Sequence, residues 1–331
     1  MSASSILLVG KRDSFDEERE ALRQAFLKRE GLLREPLIPL PPDASKRRYF
    51  RLPQALLMDA PPPYEDTKSF HFIAELLKDV GLTVPLIYAT DHTNGFLLIE
   101  DLGDFPYRKA LQAGMCEKLL YEETLKSLIH LHQNMSRNKN HLPLYNVDLF
   151  LREAEIFIEW YDLSLSREAK VDFIKAWREA YENAPSVPYS LVMRDVMVEN
   201  LLWLPLRQGM KRCGFIDFQD AVWGPITYDL VSLLEDARRD IAPSFAQDLL
   251  QIYFNAFPSL SPEDFGKSYA LWGAQRCTKI LGIFSRLSKR DGKPQYLVHL
   301  PRVWKILKGN LRCPSLKSIQ KWFEMHGRKN G

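Results

Sequence analysis

Two short segments of the sequence place carboxylate and amide side chains next to apolar runs. The first, LVMRDVMVENLLWLP, holds Asp195 and Asn200, and the second, GFIDFQDAVWGP, holds Asp217 at the end of a strand-like run. Asp and Asn on turns most often bond neighbouring backbone amides, so turn capping is the simplest explanation of the first pair alone. A carboxylate at the end of a buried strand needs a partner, however, and the intervening residues predict a hairpin that brings the two segments together.

Side chains of these types, brought together in this way, suit phosphoryl transfer, in which the protein mainly positions reactants and neutralises charge. Mg²⁺ accepts few protein oxygens and leaves its other positions to phosphates and water. We therefore predict Asn200 and Asp217 as its protein ligands. Asp195, without a metal, is predicted to accept the proton of the attacking hydroxyl, because a metal-bound carboxylate is too weak a base.

The residues before Gly103 predict a small, sheet-rich lobe. A helix is expected over residues 14–31, with Ser14 as its cap and Gly31 at its end. The remaining signals are a strand over residues 49–52, a second strand in ALLMDAPPP, a helix over residues 67–80 and a hairpin with an Asn-Gly turn in VPLIYATDHTNGFLLIEDLGD. We predict residues 1–102 as an N-terminal lobe that contains the nucleotide-binding sheet.

Helical periodicity dominates the rest of the chain. Apolar residues recur at helical spacing over residues 108–134, 148–162, 167–183, 229–239, 244–256 and 262–288. Residues 103–331 are therefore predicted as a larger helical lobe with the catalytic loop, the metal site and the acceptor pocket. The fold class expected from both parts is α+β.

Composition narrows the range of partners. The chain has 45 basic and 42 acidic residues, a net charge of +3, which is too balanced for nucleic acid or an anionic membrane as the main partner. The four cysteines form no CxxC pair, so the sequence predicts neither a disulfide framework nor a zinc site, and a reducing cytoplasm is the expected location. The apolar run SSILLVG is too short for a signal peptide or a membrane span. No sequence feature specifies an oligomeric state.

The two acidic motifs also resemble those of a known family. MRDVMVEN and IDFQD are similar to the catalytic and metal motifs of the aminoglycoside phosphotransferase superfamily, which more commonly has H-x-D-x-x-x-x-N followed by I-D-x-x. LIHLHQ resembles the helix before the catalytic loop, and GPITYDLVSLLEDARRD the segment after the metal aspartate. This resemblance covers nearly the whole chain and implies a two-lobed, protein-kinase-like fold with ATP in the cleft. It also implies that Asp229 holds the catalytic loop and does not touch the substrate.

Longer stretches resemble one subfamily more narrowly. DASKRRYFRL, GFLLIEDLGD and LGIFSRLSKRDGKPQYLVHLPRVW are similar to the anomeric kinases for N-acetylmuramate and N-acetylglucosamine of bacterial cell-wall recycling. The implied reaction is phosphate transfer from ATP to the anomeric hydroxyl of an amino sugar. The ring oxygen makes that hydroxyl more acidic than other sugar hydroxyls, so a modest base such as Asp195 suffices. Met193 can then stand where the wider family often has a histidine.

The nucleotide site departs from the family pattern. The loop PPDAS has no glycine cluster, so backbone amides around Ser45 are expected to cover the phosphates. LLMDAPP lacks the lysine that kinases usually keep on this strand, and Arg48, Arg51 or the loop residue Lys46 are the candidates to replace it. The backbone from Glu100 to Leu102 is predicted as the hinge that faces adenine.

Two alternatives remain open from the sequence. One is a kinase of the same fold for an aminoglycoside, choline or a ribose derivative. An aminoglycoside pocket should be acidic to match a polycation, whereas the C-terminal segment here is basic, and Arg276, Arg286 or Lys293 is expected to form a basic wall of the acceptor site. The other alternative is a non-catalytic nucleotide-binding protein, which fits the missing lysine and histidine. A pure binder has no need of all three predicted catalytic and metal side chains, and their retention argues against it.

Overall fold

The computed structural model describes residues 3–41, 45–135 and 142–327. The chain divides into two compact units. The first unit consists of Met1–Phe105 and Leu204–Asp220, and the second of Pro106–Trp203 and Ala221–Gly331. The functional boundary between residues 102 and 103 stays a prediction.

Helices and strands alternate in the first part of the chain, and helices dominate later. The strands are β1 (Ile38–Pro39), β2 (Arg48–Arg51), β3 (Ala55–Asp59), β4 (Ile87–Asp91), β5 (Phe96–Glu100), β6 (Tyr189–Val192), β7 (Leu201–Trp203), β8 (Cys213–Phe215) and β9 (Val222–Pro225). The helices are α1 (Ala3–Arg29), α2 (Thr67–Asp79), α3 (Tyr107–Gln112), α4 (Glu117–Asn134), α5 (Val147–Trp160), α6 (Arg167–Glu182), α7 (Thr227–Leu234), α8 (Pro243–Ala256), α9 (Pro262–Lys289), α10 (Leu300–Asn310) and α11 (Lys317–His326).

The first unit is built on a five-stranded antiparallel sheet in the order β1-β2-β3-β5-β4. Phe26 on α1 packs in one core cluster with Leu57 of β3 and Phe96 of β5, all fully or almost fully buried. The predicted hairpin of β4 and β5 is confirmed, and its turn needs glycine. Gly95 has φ of +75°, and a Cβ there would lie 2.0 Å from the Ala60 carbonyl oxygen.

Helix α2 connects β3 to β4, and the helix predicted over residues 67–80 is confirmed. Asp66 caps it by accepting a hydrogen bond from the Lys68 backbone N–H at 2.9 Å, and Phe70, Ile73 and Leu77 are its buried apolar face. Helix α1, in contrast, begins at Ala3, so the prediction of Ser14 as its cap is wrong. No proline lies between Ala3 and Ser14, so this segment permits the helix to extend to Ala3.

The second unit has a helical core centred on α5 and α9. Gly282 of α9 lets the two backbones approach, since a Cβ at this position would lie 2.5 Å from the Ile156 backbone of α5. Fully buried aromatic rings, including Phe150 and Phe157, fill the space around this crossing. The single helix predicted over residues 108–134 is wrong. The chain forms α3 and α4 instead, because Gly114 with φ of +83° interrupts the helical backbone.

Helix α11 was not predicted, although its sequence carries a signal. Ile319, Trp322 and Phe323 have helical spacing and are buried, and the Trp322 indole N–H donates to the Ala169 carbonyl at 2.8 Å. The helix therefore closes the core of the second unit against α6. Over the residues that the structure describes, no helix is both long and apolar enough to cross a membrane.

Candidate active site

The segment with Asp195 and Asn200 leaves the end of a buried strand in the second unit. Strand β6 pairs with β9 in antiparallel register, with Leu191 opposite Trp223. Val196 and Val198 are buried beyond the strand and anchor the following turn. We name residues 193–200 the acidic loop. Its two predicted functional side chains are therefore presented by a segment that buries two of its own apolar side chains.

The backbone of the acidic loop is held in an unusual conformation. Arg194 has φ of +75°, in the left-handed region that non-glycine residues rarely adopt. The buried Asp229 carboxylate compensates, since Oδ2 accepts from the Met193 N–H at 2.7 Å and Oδ1 from the Arg194 N–H at 2.8 Å. Burial raises the pKa of Asp229 to about 7, against the opposing effect of these two hydrogen bonds. The expectation that Asp229 holds the loop is confirmed.

A buried ion network lies under the same loop. Glu153 of α5 accepts from the Arg194 guanidinium and the Tyr145 hydroxyl. It also accepts from Lys279 Nζ at 2.7 Å and from Gln275 Nε2 at 3.1 Å. Burial alone would raise the pKa of Glu153, but the charges of Lys279 and Arg194 outweigh it and lower the pKa to about 2. The residue that precedes Asp195 is therefore fixed through both its backbone and its side chain.

Asp195 itself is accessible, because 42% of its side chain is exposed. A guanidinium nitrogen of the buried Arg276 lies 3.7 Å from Asp195 Oδ1. Arg276 Nε is buried and has no hydrogen-bond partner among the described residues. Asn200 Nδ2 donates to the Asp195 carbonyl at 3.0 Å, so the amide nitrogen of Asn200 is occupied within the loop.

Two basic residues of α9 are buried, and the acceptor-site wall expected from Arg276, Arg286 or Lys293 stays a prediction. Arg276 is buried beside Asp195, and Lys279 is bound by Glu153, so both face the interior of the second unit. Arg290, at the end of this helix, pairs with its neighbour Asp291. Only part of the basic segment is therefore close to Asp195.

Asp217 belongs to the first unit, where it follows β8. Its backbone has φ of +62°, so both acidic motifs contain a non-glycine residue in the left-handed region. Asp217 Oδ1 accepts from Arg47 Nη2 at 3.2 Å and from Gln219 Nε2 at 3.0 Å. The next residue, Phe218, is fully buried and packs on the Phe70 ring of α2 at 4.9 Å between centroids. This packing fixes the turn that presents the Asp217 carboxylate.

The predicted phosphate loop is held by polar contacts within the first unit. Ser45 Oγ accepts from the Arg47 N–H at 3.3 Å, and the Lys46 N–H donates to Glu65 Oε1 at 2.9 Å. Arg47 was not among the predicted nucleotide contacts. The sequence feature that could have indicated Arg47 is the run of four basic residues in SKRRYFR, but this run does not distinguish Arg47 from the other three.

The two predicted arginines of β2 have acidic partners. Arg48 pairs with Asp16 at 2.8 Å, and both side chains are about half exposed. Arg51 donates to both oxygens of Asp101 and to both oxygens of Asp104, and these hydrogen bonds raise its pKa. Arg51 therefore ties β2 to the segment that follows β5.

The predicted hinge lies at the end of β5. The Glu100 carboxylate accepts from Arg207 Nη2 at 2.5 Å, and the Glu100 N–H donates to the Leu86 carbonyl at 2.7 Å. Leu102 is buried, and Gly103 follows with φ of +85°. The backbone thus turns sharply directly after the predicted hinge.

A unit built on an antiparallel sheet and a mostly helical unit are the architecture of the kinase-like fold. A solved structure with this fold is similar to the chain: aminoglycoside phosphotransferase APH(2'')-Ib with ADP bound. It has a TM-score of 0.58 at 14% identity, and the match covers 86% of this chain and 97% of that one. The predicted kinase-like fold is confirmed.

The sequence identifies the family. Residues 36–262 match the sequence model of the phosphotransferase enzyme family APH, and the chain belongs to this family. The N-acetylmuramate/N-acetylglucosamine kinase of Caulobacter vibrioides is 32% identical, over 95% of this chain and 98% of that protein. The protein of the same name from Pseudomonas aeruginosa is 37% identical, over 86% of each chain. The predicted enzyme class, a phosphotransferase, is confirmed.

Proposed function

We propose that this phosphotransferase transfers phosphate from ATP to the anomeric hydroxyl of N-acetylmuramate and N-acetylglucosamine, in bacterial cell-wall recycling. The names of the two relatives, whose matches cover 95% and 86% of this chain, support this acceptor. The observation that carries the proposal is the accessible Asp195 carboxylate on a loop that Asp229 holds through two backbone hydrogen bonds. A cytoplasmic location is part of the same proposal.

Asp195 is proposed as the general base. A carboxylate that accepts the hydroxyl proton must be accessible and must also be held in position, because a displacement of about 1 Å can reduce the rate about 100-fold. The fixed backbone of Arg194 satisfies the second requirement, and the exposure of Asp195 satisfies the first. The more acidic anomeric hydroxyl matches this moderate base.

Asn200 and Asp217 are proposed to hold Mg²⁺. The Asn200 amide nitrogen is occupied by the Asp195 carbonyl, which leaves the amide oxygen as the ligand atom. One amide oxygen and one carboxylate are hard donors that fit Mg²⁺, whose remaining positions are taken by phosphate and water. Bound there, the metal would neutralise the charge of the nucleotide phosphates.

ATP is proposed as the phosphate donor, and the ADP found in the structurally similar aminoglycoside phosphotransferase supports a nucleotide of this type. Arg48 and Arg51 are already paired with carboxylates. Each arginine would have to release a carboxylate in order to bind phosphate. The proposed nucleotide contacts are Ser45, Lys46, Arg48, Arg51, Glu100 and Leu102.

Arg276 supports an acceptor that is neutral or anionic. Its buried charge lies 3.7 Å from Asp195, so a cationic acceptor such as an aminoglycoside or choline would bring like charges together at the base. The lactyl carboxylate of N-acetylmuramate could instead form a charge-assisted contact with this guanidinium. N-acetylglucosamine lacks that carboxylate. It would not form this contact, and as a neutral sugar it would not be repelled by the Arg276 guanidinium.

The test is a coupled ADP-release assay that compares the free sugars with their methyl glycosides. We expect turnover with N-acetylmuramate and N-acetylglucosamine and none with the glycosides, because these lack the free anomeric hydroxyl. Aminoglycosides and choline are offered in parallel. Phosphorylation of the glycosides at the rate of the free sugars would refute the anomeric assignment, and turnover with only a cationic acceptor would refute the amino-sugar proposal.

A further inference from the structure

Arg47 is the basic residue of the SKRRYFR run that contacts the predicted metal carboxylate. Its Nη2 lies 3.2 Å from Asp217 Oδ1, and its Nε lies 3.4 Å from Glu65 Oε2. Only 12% of the Arg47 side chain is exposed, so the guanidinium is held by these two carboxylates in a largely buried position. Its Nε is buried and has no partner with hydrogen-bond geometry among the described residues.

A buried guanidinium in this position has unused donors. An arginine side chain offers five N–H bonds in a rigid fork; Asp217 accepts from one of them, and Tyr49 also interacts with the guanidinium, whereas the Nε–H has no partner with hydrogen-bond geometry among the described residues. A polar cavity of about 190 Å³ lies beside Arg47, with Glu65, Ser69 and Gln219 in its wall. Glu65 belongs both to this wall and to the ion pair with Arg47, and Asp66 and Asp220 also line the cavity, so Arg47 supplies positive charge to a cavity with acidic residues in its wall.

The distances favour a contact with metal-bound phosphate. Magnesium–oxygen distances are about 2.0–2.1 Å in octahedral geometry, so neighbouring ligand oxygens on one Mg²⁺ lie about 3 Å apart. A phosphate oxygen that shares the ion with Asp217 would therefore be about as close to this carboxylate as Arg47 Nη2 is, at 3.2 Å. The remaining N–H bonds of Arg47 could then reach the phosphate.

The other cations of the run are arranged differently. Arg48 pairs with Asp16 where both side chains are about half exposed, and Arg51 is bound by Asp101 and Asp104. Neither arrangement includes the metal carboxylate. Arg47 combines burial, unused donors and contact with Asp217.

We propose that Arg47 binds the phosphate chain of the nucleotide and that Glu65 positions its guanidinium. This inference rests on the proposed function, because it requires a phosphate-bearing nucleotide coordinated through Asp217. Arginine can bridge two phosphate oxygens, which a lysine cannot do with the same geometry. Arg47 would then take the role of the lysine that is absent from β3.

The experiment measures binding of ATP, ADP and adenosine by isothermal titration calorimetry in the presence of Mg²⁺. Arg47→Ala should weaken ATP and ADP about 10- to 100-fold, the usual effect of losing a charge-assisted hydrogen bond, and leave adenosine binding unchanged. The affinity of Arg47→Lys for ATP and ADP should lie between those of the wild type and Arg47→Ala, because lysine keeps the positive charge and lacks the forked guanidinium. Arg29→Ala is the control, because it removes an exposed arginine of the same unit that pairs with Glu30.

The outcomes separate this inference from the proposed function. Unchanged ATP and ADP affinity in Arg47→Ala would overturn the role of Arg47 while the wild-type protein still bound and used ATP. A wild-type protein that binds no ATP would overturn both. An equal loss of adenosine binding would indicate general damage to the unit and would also overturn the inference. If Arg47→Ala does not fold, Arg47→Lys and Glu65→Gln supply the same comparison, with a weaker affinity for ATP expected in each and no change for adenosine.

Discussion

Glu153→Gln is the most informative test of how the acidic loop is held. The substitution keeps the shape of the side chain and removes the charge that faces Arg194 and Lys279, both within the buried network. Two cations would then lack their carboxylate partner. Removing one partner of a buried ion pair typically lowers the free energy of unfolding by about 3–5 kcal/mol. We expect a loss of this size at neutral pH.

The lowered pKa of Glu153 gives a second figure for its contribution to the free energy of unfolding. It also predicts how that contribution depends on pH. This pKa falls from an ordinary value of 4.5 to about 2 in the folded protein. A carboxylate with a lowered folded pKa stabilises the fold at every pH above its unfolded pKa and loses that contribution as the pH falls toward the folded value. The difference corresponds to about 3 kcal/mol at 1.36 kcal/mol per pKa unit. This stabilisation should be complete above about pH 5 and should decline between pH 4.5 and pH 2.

Denaturant unfolding of the wild-type protein and Glu153→Gln at pH 7 and again near pH 3 measures both effects. The difference in unfolding free energy should be smaller at the lower pH, because near pH 3 the unfolded chain binds a proton at Glu153 and part of the stabilisation by the ionised carboxylate is lost. Glu263→Gln is the matched control, because Glu263 forms an exposed pair with Lys267 and its loss should leave stability unchanged. A difference between wild type and Glu153→Gln that stays constant with pH would refute the assignment of Glu153 as an ionised anchor.

Two further predictions concern the proposed catalytic and metal side chains. Asp195→Asn should keep the fold and ATP binding and lower turnover by about 10²–10⁴-fold, because it removes only the base; near-normal kcat in the folded variant would mean that another group accepts the proton. Asp217→Ala and Asn200→Ala should each raise the Mg²⁺ concentration needed for half-maximal rate, since water cannot fix the geometry of the metal as these ligands do. The measurement is a titration of rate against Mg²⁺, and curves that match the wild type for both variants would exclude this site.

Local signals account for the parts of the fold that could be predicted. The β4–β5 hairpin follows from an Asn-Gly turn between apolar runs, and α2 follows from the helical spacing of apolar residues over residues 67–80. The single helix over residues 108–134 failed because apolar periodicity continues across Gly114, where the backbone is left-handed. Periodicity reports which face is buried, and it does not show whether the backbone is interrupted.

The positioning residues of the site could not be read from the sequence for a different reason. Asp195, Asn200 and Asp217 lie in short motifs, but their supporting partners are distant in the chain. Arg47 and Asp217 are 170 residues apart, so nothing in the spacing of the basic run distinguishes Arg47 from its neighbours. Glu153 stands in a helix as one of several acidic residues, and only the fold shows that it is buried with two cations. A buried charge must find a partner, and that requirement identifies the partner only after the tertiary structure is known.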